Sequence, residues 1–275
     1  MDQSTHRKQN RRIVDEFTRQ ALPFSQRPEL SNEASFKLML EMSGVNARDK
    51  VLDVACGPGI VACAFAAVAA HVTGIDITPA MIERARQLQH DKGQSNLTWQ
   101  VGDVLPLPYA NDTFALVVTR FTFHHFVDPQ AVLGEMMRVC QPGGRVLVSD
   151  PAPAADKQDA YNRIEKLREP SHVRALTSAE LLSMAQSVGL TNIKAAYYKL
   201  GMELERHLAT SCPSSIAADK IRQMFRNDLT VDSFGLGAHL EAGAIHLGYP
   251  IMVMVSEKSA QETGKAEDVR KQNGR

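Results

Sequence analysis

Residues 51–87 read "VLDVACGPGIVACAFAAVAAHVTGIDITPAMIERARQ" and alternate between strand and helix patterns. An apolar segment ends in a glycine-containing turn, an Ala-rich helical segment follows, and a second strand then ends in an acid before another helix. Strands and helices that alternate at this short spacing form a parallel sheet with helices on both faces, because each crossover is right-handed. We therefore predict an α/β fold built on a doubly wound sheet.

The alternation continues to residue 150 and resumes near the end of the chain. The segments "NLTWQVGD", "TFALVVTR" and "RVLVSD" have the apolar content of buried strands. A capping box of Thr177 with Glu180 then opens a helix, and "TNIKAAYYKL" and "YPIMVMVSEK" predict two more strands. The sequence thus predicts a mostly parallel sheet of seven strands, with a helical insert at about 203–230 before the last strand.

The remaining segments set the domain boundaries. Residues 1–30 are predicted to form an N-terminal arm or lid whose first twelve residues are polar, loose and exposed. Ser31 is the predicted N-cap of a helix that ends at Gly44. One domain then extends over 31–256, with a ligand-binding half at about 50–150 and substrate-cap segments at about 151–175 and 203–230. The charged segment 257–275 is predicted to be a disordered tail.

The composition of the chain limits the kinds of partner that it is expected to bind. The formal net charge is zero, so no long-range field attracts nucleic acid or an anionic membrane. No apolar run reaches membrane length, and no signal peptide opens the chain. The four cysteines lack metal-ligand spacing and are interpreted as reduced thiols of a cytoplasmic protein, so we predict no metal site. A homodimer is left open.

The glycine turn fits two ligand classes. The sequence "GPGIVA" matches the dinucleotide pattern G-x-G-x-x-A, which favours an NAD(P)-dependent oxidoreductase. However, Asp53 precedes the turn, and its carboxylate would oppose a diphosphate held at the helix N-terminus. The same carboxylate suits a cation. S-adenosylmethionine has an ammonium and a sulfonium and no phosphate, so Asp53 favours this ligand.

Residues 50–150 resemble the class I S-adenosylmethionine-dependent methyltransferases. The stretch Asp53-x-Ala55-x-Gly57-x-Gly59 is similar to their first motif, with Ala55 in place of a glycine. Asp76 ends the second strand, Asp103 ends the third, and "PGG" precedes the fifth, as in that family. The nearest resemblance is to quinone-biosynthesis and natural-product methyltransferases, although the extended quinone signatures are absent.

The resemblance implies a Rossmann-like methyltransferase fold and methyl transfer from S-adenosyl-L-methionine to a small molecule. O-methylation is favoured, and C- or N-methylation is open. A protein that binds the cofactor without transferring methyl is a further alternative, whereas a nucleic-acid enzyme lacks support because the "NPPY" position reads "TRFTFHH". The implied cofactor-binding residues are Asp53, Ala55, Cys56, Gly57, Gly59, Asp76, Ile77, Met81, Asp103, Val104 and Arg120.

Catalysis is predicted at the ends of the fourth and fifth strands. His124 and His125 follow the fourth strand, and Asp150 lies 150 − 124 = 26 residues after His124. Some O-methyltransferases place a His/Asp dyad there, which implies His124 as the base, Asp150 as its orienting carboxylate and His125 as the second choice. A structural role in a turn is the alternative. Candidate lid or substrate contacts are Phe17, Phe24, Tyr161, His172 and Arg174.

Overall fold

The central element is an eight-stranded sheet, seen in a computed structural model that describes residues 3–260. The strand order is β3-β2-β1-β4-β5-β8-β6, with β7 paired to β8. The strands are β1 Lys50–Val54, β2 His71–Asp76, β3 Leu97–Val101, β4 Phe114–Arg120, β5 Cys140–Pro151, β6 Leu190–Glu203, β7 His239–Glu241 and β8 Ala244–Lys258. The predicted seven strands are confirmed, and β7 is a short addition.

The sheet is parallel through its first five strands and changes direction at β8. Strands β1 to β5 pair in parallel, while β8 runs antiparallel to both β5 and β6. The carboxyl ends of β1, β2 and β4 therefore meet at one edge. In such a sheet the ligand binds at that edge, where the strand order reverses between β1 and β4.

Helices cover both faces of the sheet. They are α1 Gln3–Ser25, α2 Glu33–Ser43, α3 Ile60–Ala66, α4 Pro79–Asp91, α5 Pro129–Val139, α6 Gln158–Arg168, α7 Ser178–Ser187, α8 Leu204–Ser211 and α9 Ser215–Asp228. Helices α2 and α3 share one apolar core and α5 and α7 another, while α6, α8 and α9 form a third core with the ends of β6 and β8. No helix within residues 3–260 has the length and apolar character needed to cross a bilayer.

The N-terminal segment differs from the prediction. Residues expected to be a loose, exposed arm are helical from Gln3, within α1. The apolar periodicity of the sequence does not predict this helix, because part of its buried face is polar: Gln9, Glu16 and Gln20 are all buried. The next boundary also shifts, since Asn32 and not Ser31 caps α2 by accepting a hydrogen bond from the Ser35 backbone N–H.

The later elements follow the prediction closely. The capping box of Thr177 and Glu180 is present at α7, and Gly44 ends α2 with φ 58°. Helices α8 and α9 occupy the predicted insert. The predicted tail at 257–275 begins inside β8, which continues to Lys258, and residues 261–275 lie outside the described part of the chain.

Candidate active site

The turn between β1 and α3 opens onto a large cleft. Ala55, Gly57 and Gly59 all have positive φ there, at 54°, 53° and 78°. A Cβ on Gly57 would meet nothing within 4 Å, so the backbone faces open space at this point. A Cβ on Gly59 would instead lie 2.6 Å from the Trp99 ring. The two glycines therefore serve different purposes: access at Gly57 and close packing at Gly59.

The cleft, here the first cavity, encloses about 1060 Å³ up to its open mouth. Its walls include most of the predicted cofactor residues, and only Asp53 and Gly59 are missing from them. The predicted residues that line it are Ala55, Cys56, Gly57, Asp76, Ile77, Met81, Asp103, Val104 and Arg120.

Asp76 lies at the end of β2 with its carboxylate at the cavity wall. One carboxylate oxygen accepts the Gly57 backbone N–H at 2.9 Å, and the other accepts the Thr78 backbone N–H at 2.8 Å. Burial raises the pKa of Asp76, and these two backbone hydrogen bonds oppose that rise. Because each carboxylate oxygen can accept a second hydrogen bond, Asp76 can still bind two hydroxyl groups of a ligand.

Asp53 lies beneath the turn and is only 1% exposed. Its Oδ2 atom has no hydrogen-bond partner. Burial raises the pKa of Asp53 to about 8. The structure therefore keeps a carboxyl group with one unpartnered oxygen close to the glycine turn, but outside the cavity wall where direct ligand contact was predicted.

Charge in the first cavity disfavours a diphosphate. Asp76, Asp103 and Asp128 contribute three carboxylates to the wall, against the single guanidinium of Arg120. Arg120 is itself engaged, since its Nη1 donates to the Leu30 carbonyl at 2.8 Å and its guanidinium lies over the Phe121 ring. An anionic dinucleotide would meet net repulsion here, whereas a cationic ligand would be attracted.

Helix α1 closes the first cavity at Asp103. The Asp103 Oδ2 atom lies 2.9 Å from His6 Nε2 and accepts a hydrogen bond from Asn10 Nδ2 at 2.7 Å. Deeper along the same helix, Gln9 Nε2 donates to the His125 carbonyl at 3.0 Å. The N-terminal helix thus forms part of the cavity wall.

A second cavity of about 570 Å³, again counted to its mouth, adjoins the first. The two cavities share part of their walls. Residues common to both are Phe17, Phe24, Leu30, Phe121 and His125. A molecule in the second cavity is therefore separated from a ligand in the first only by these side chains or by the openings between them.

His124 lines the second cavity and contacts Asp150. Its Nδ1 atom lies 3.1 and 3.0 Å from the two carboxylate oxygens, and its backbone N–H donates to the same carboxylate at 3.2 Å. Burial acts to lower the pKa of His124, but the charge and hydrogen bond of Asp150 outweigh it and raise the pKa. With Nδ1–H donated to the carboxylate, Nε2 is left as a proton acceptor.

His125 differs from its neighbour. It lines both cavities, and burial together with the nearby His124 lowers its pKa to about 3. Such an imidazole is neutral at physiological pH and a weak proton acceptor. The geometry therefore favours His124 over His125 as a base.

The comparisons with known proteins agree with this site. A family model described as a methyltransferase domain matches residues 46–223. This chain belongs to that methyltransferase family. The match confirms the prediction of a class I, S-adenosylmethionine-dependent methyltransferase and argues against an oxidoreductase.

Among curated relatives, this methyltransferase is similar to the uncharacterized methyltransferase YcgJ of Bacillus subtilis. The identity is 32% over 171 residues, which cover 59% of this chain and 68% of the relative. The crystal structure of YcgJ superposes with a TM-score of 0.77 over 83% of this chain and 99% of that one. At 24% identity in that superposition, the structural match shows a shared fold.

Two further relatives carry functional names. The ubiquinone/menaquinone biosynthesis C-methyltransferase UbiE of Roseobacter denitrificans is 33% identical over 45% of this chain and 53% of its own length. The 27-O-demethylrifamycin SV methyltransferase of Amycolatopsis mediterranei is 32% identical over 50% and 52% respectively. The chain thus spans about half the length of these two relatives.

The predicted lid and substrate candidates of the methyltransferase divide into two groups. Phe17 and Phe24 line both cavities, and Tyr161 lines the second. His172 is outside both walls, with Nε2 bonded to Asn162 Oδ1 at 2.7 Å. Arg174 is also outside, and it pairs with Glu180.

The sequence did not single out several polar residues of the second cavity. Five charged or polar side chains line it without having been predicted: Arg27, Glu165, Arg168, Glu169 and His207. Two of the segments that carry them had been named as substrate-cap regions. Glu165, Arg168 and Glu169 lie together on α6 and at its end, whereas Arg27 and His207 lie on other segments that meet them only in the folded chain.

Three of the cavity side chains also have the spacing of metal ligands. One ligand atom each of His124, His125 and Glu169 lie within 4.8 Å of one another. However, Arg168 Nη2 lies 3.1 Å from Glu169 Oε2, and a guanidinium beside this carboxylate opposes a metal ion. The cluster is better explained as part of an internal network of ion pairs and hydrogen bonds.

Proposed function

We propose that this methyltransferase binds S-adenosylmethionine in the first cavity and methylates a hydroxyl group of a small molecule held in the second. The observation that carries the proposal is the contact of His124 with Asp150 in the second cavity, which shares a wall with the first. A hydroxyl acceptor must lose a proton during methyl transfer, and a buried His–Asp pair provides a base for it.

The first cavity fits the cofactor. Asp76 would accept hydrogen bonds from the ribose hydroxyls, and Asp103 would accept one from the adenine amino group. Ile77 and Val104 would contact the adenine rings, while the open backbone at Gly57 leaves room for the methionine part. The unpartnered Oδ2 of Asp53 supports its proposed role as electrostatic partner of the ammonium group. When bound, S-adenosylmethionine supplies an electrophilic methyl group on its sulfonium.

His124 would take the acceptor proton at Nε2. Asp150 keeps Nδ1–H oriented toward its carboxylate and stabilises the imidazolium that forms. His124 and Asp150 are themselves buried, which limits the access of water to the pair. Proximity and orientation of the hydroxyl supply the rest of the rate acceleration.

The named relatives support a small-molecule acceptor. One is named as a C-methyltransferase of quinone biosynthesis and one as an O-methyltransferase of a rifamycin. The His124–Asp150 contact favours oxygen over carbon as the acceptor atom in this protein, because the contact provides a base with a raised pKa.

Calorimetric titration tests the cofactor assignment. We expect S-adenosylhomocysteine to bind with a dissociation constant of roughly 1–100 μM, typical of metabolite sites. NADH should bind far more weakly, because the first cavity holds three carboxylates and one guanidinium. Tight binding of NADH without any heat from S-adenosylhomocysteine would refute the proposal. Transfer of a labelled methyl group to a hydroxyl acceptor would distinguish an enzyme from a protein that only binds the cofactor.

A further inference from the structure

The second cavity contains a buried guanidinium without a carboxylate partner. Arg27 is 6% exposed and lines this cavity. Its Nη2 atom donates to Ser211 Oγ at 3.1 Å, its Nε atom has no partner, and its guanidinium lies over the Phe24 ring at 5.0 Å. Burial lowers the pKa of Arg27 to about 10, so it remains charged at neutral pH. A buried cation in this state is costly unless an anion pairs with it.

The carboxylates nearby are engaged elsewhere. Arg168 Nη2 lies 2.6 Å from Glu165 Oε2 and 3.1 Å from Glu169 Oε2, so one guanidinium bridges both acids. The Tyr249 hydroxyl also donates to Glu165 at 2.9 Å. Among the residues that the structure describes, Arg27 forms no ion pair with any of these acids. Arg27 meets this network at Ser211 Oγ, to which Arg168 Nη1 also donates at 2.8 Å, and the charge of Glu169 acts on Arg27 without an ion-pair contact between them.

His207 adds a second unsatisfied group to the same cavity. It is 5% exposed, and neither ring nitrogen has a hydrogen-bond partner. Burial, reinforced by Arg168 and Arg27, lowers the pKa of His207 well below its usual value, so the ring is neutral. A neutral imidazole still has one N–H to donate. Buried polar groups are rarely left without a partner, so Arg27 and His207 leave polar atoms in this cavity available to a ligand.

The rest of the wall is apolar and rich in rings. Aromatic side chains contribute much of it, together with aliphatic residues from β6 and β8. They are Phe17, Phe24, Phe121, Tyr161, Tyr249, Leu200, Met202 and Ile251. Such walls accept a flat apolar body and leave only a few places for polar groups.

We infer that the second cavity binds an aromatic acceptor that carries a carboxylate, and that Arg27 and His207 bind this carboxylate. The inference deepens the proposed function and rests on it for the identity of the site as the acceptor site. The hydroxyl to be methylated would then lie toward His124, and the carboxylate toward Arg27. The carboxylate would give Arg27 a direct ion pair, which none of the described residues provides, although the charges of Glu169 and Glu29 act on it from a greater distance.

Binding of matched probes tests this inference without turnover. The full chain, saturated with S-adenosylhomocysteine, is titrated with 4-hydroxybenzoate and with the neutral 4-hydroxybenzamide. We expect the carboxylate to bind at least about tenfold more tightly, since a charge-assisted hydrogen bond contributes about 1.5–3 kcal/mol. Equal binding of the two probes, tighter binding of the amide, or no binding of 4-hydroxybenzoate would each overturn the inference.

Variants of Arg27 test whether this residue causes the preference for the carboxylate. Arg27→Gln should remove the preference for the carboxylate, and Arg27→Lys should retain part of it because the positive charge is kept. Arg86→Gln is the matched control, because Arg86 lies on the exposed surface of α4 with Glu83. An unchanged preference in Arg27→Gln would contradict the assignment.

Two further measurements separate the possible failures. In the absence of any anion, Arg27→Met should raise the melting temperature, because it removes a buried charge without a partner. A lower melting temperature in this variant would mean that Arg27 is a structural residue. Binding of S-adenosylhomocysteine is measured separately for every variant, so failure of the cofactor proposal would be visible there, independently of the carboxylate.

Discussion

The first and second cavities share walls but are built differently. The first takes its polar groups from the ends of successive parallel strands, so Asp76 and the glycine turn come together wherever this sheet forms. The second takes His124 and His125 from the segment that follows β4, and its other polar groups from α6, α8 and the turn after α1, which are far apart in the sequence. In the first cavity the sheet topology places the strand-end residues and α1 completes the wall, whereas the second cavity depends mainly on how separate helices pack.

If the two cavities have separate roles, then each can be impaired without the other. The largest expected effect concerns the second cavity. His124→Ala should reduce turnover by about 10²–10⁴, the usual contribution of a positioned general base. The affinity for S-adenosylhomocysteine should stay nearly unchanged, because His124 lies outside the first cavity wall.

Steady-state kinetics with a verified acceptor and calorimetry on the same preparation measure the two effects. His90→Ala is the matched control, since His90 is exposed on α4. Retained turnover in His124→Ala would show that proximity alone suffices. A loss of cofactor affinity would show that the two cavities are not separate.

The next effect concerns Asp150. Asp150→Asn should reduce turnover less than His124→Ala does, because the imidazole remains but can adopt the wrong tautomer. In the wild type, activity should rise with pH through the raised pKa of His124, since only the neutral ring accepts a proton. Without the carboxylate that raises this pKa, the rising limb of the pH–rate profile should move to lower pH. If the rising limb of the Asp150→Asn profile stays at the wild-type pH, then the contact with Asp150 is not the cause of the raised pKa of His124.

A smaller effect is expected in the first cavity. Asp76→Ala should weaken S-adenosylhomocysteine binding by at least about tenfold, at 1.4 kcal/mol per decade, because two charge-assisted hydrogen bonds are lost. Asp76→Asn keeps one acceptor oxygen, so its affinity for S-adenosylhomocysteine should lie between that of Asp76→Ala and that of the wild type. Binding of 4-hydroxybenzoate in the second cavity should be the same in all three proteins. An unchanged cofactor dissociation constant would reject the assignment of Asp76.

The last expected effect is on stability and leaves ligand binding aside. Burial raises the pKa of Asp53 from 3.8 to about 8, so between these values the folded chain holds a proton that the unfolded chain has released. The free energy of unfolding should therefore decrease as pH rises from about 4 to about 8. Asp53→Asn should remove this contribution. Melting temperatures of the unliganded wild type and Asp53→Asn at pH 6 and pH 9 measure this contribution. An equal decrease in melting temperature in both proteins would contradict the assignment to Asp53.

The sequence located the strand-end part of the first cavity because its signals are local, but it did not predict the polar part of the wall that α1 forms. Asp53, Gly57 and Asp76 each lie at a strand end or in the turn that follows, and parallel pairing of β1 with β2 brings the strand ends to one edge. The contact of His124 with Asp150 followed from the resemblance and from pairing of β4 with β5. Their functional roles remain predictions.

The second cavity, and the α1 side of the first, could not be predicted to the same depth. The buried face of α1 carries Gln9, Glu16 and Gln20, which do not give the apolar period expected of a buried helix. Gln9 and Gln20 donate to backbone carbonyls of Ser171 and Ser211, so these polar residues attach α1 to distant parts of the fold. Nothing in their local sequence names those partners. The pairing of Arg168 with Glu165 has local helical spacing, but its position in the wall of the second cavity depends on the folded chain.

The close approach of Gly59 and Trp99 has a spectroscopic consequence. Trp99 is the single tryptophan of the chain, and a Cβ on Gly59 or on Gly74 would meet its ring at 2.6 and 2.5 Å. The indole N–H donates to Gln89 Oε1 at 2.6 Å, so the ring is held in one orientation behind the glycine turn. Its fluorescence therefore comes from one place, directly behind the backbone that borders the first cavity. The protein carries its own optical reporter, and a ligand that shifts this turn should change the emission without any attached label.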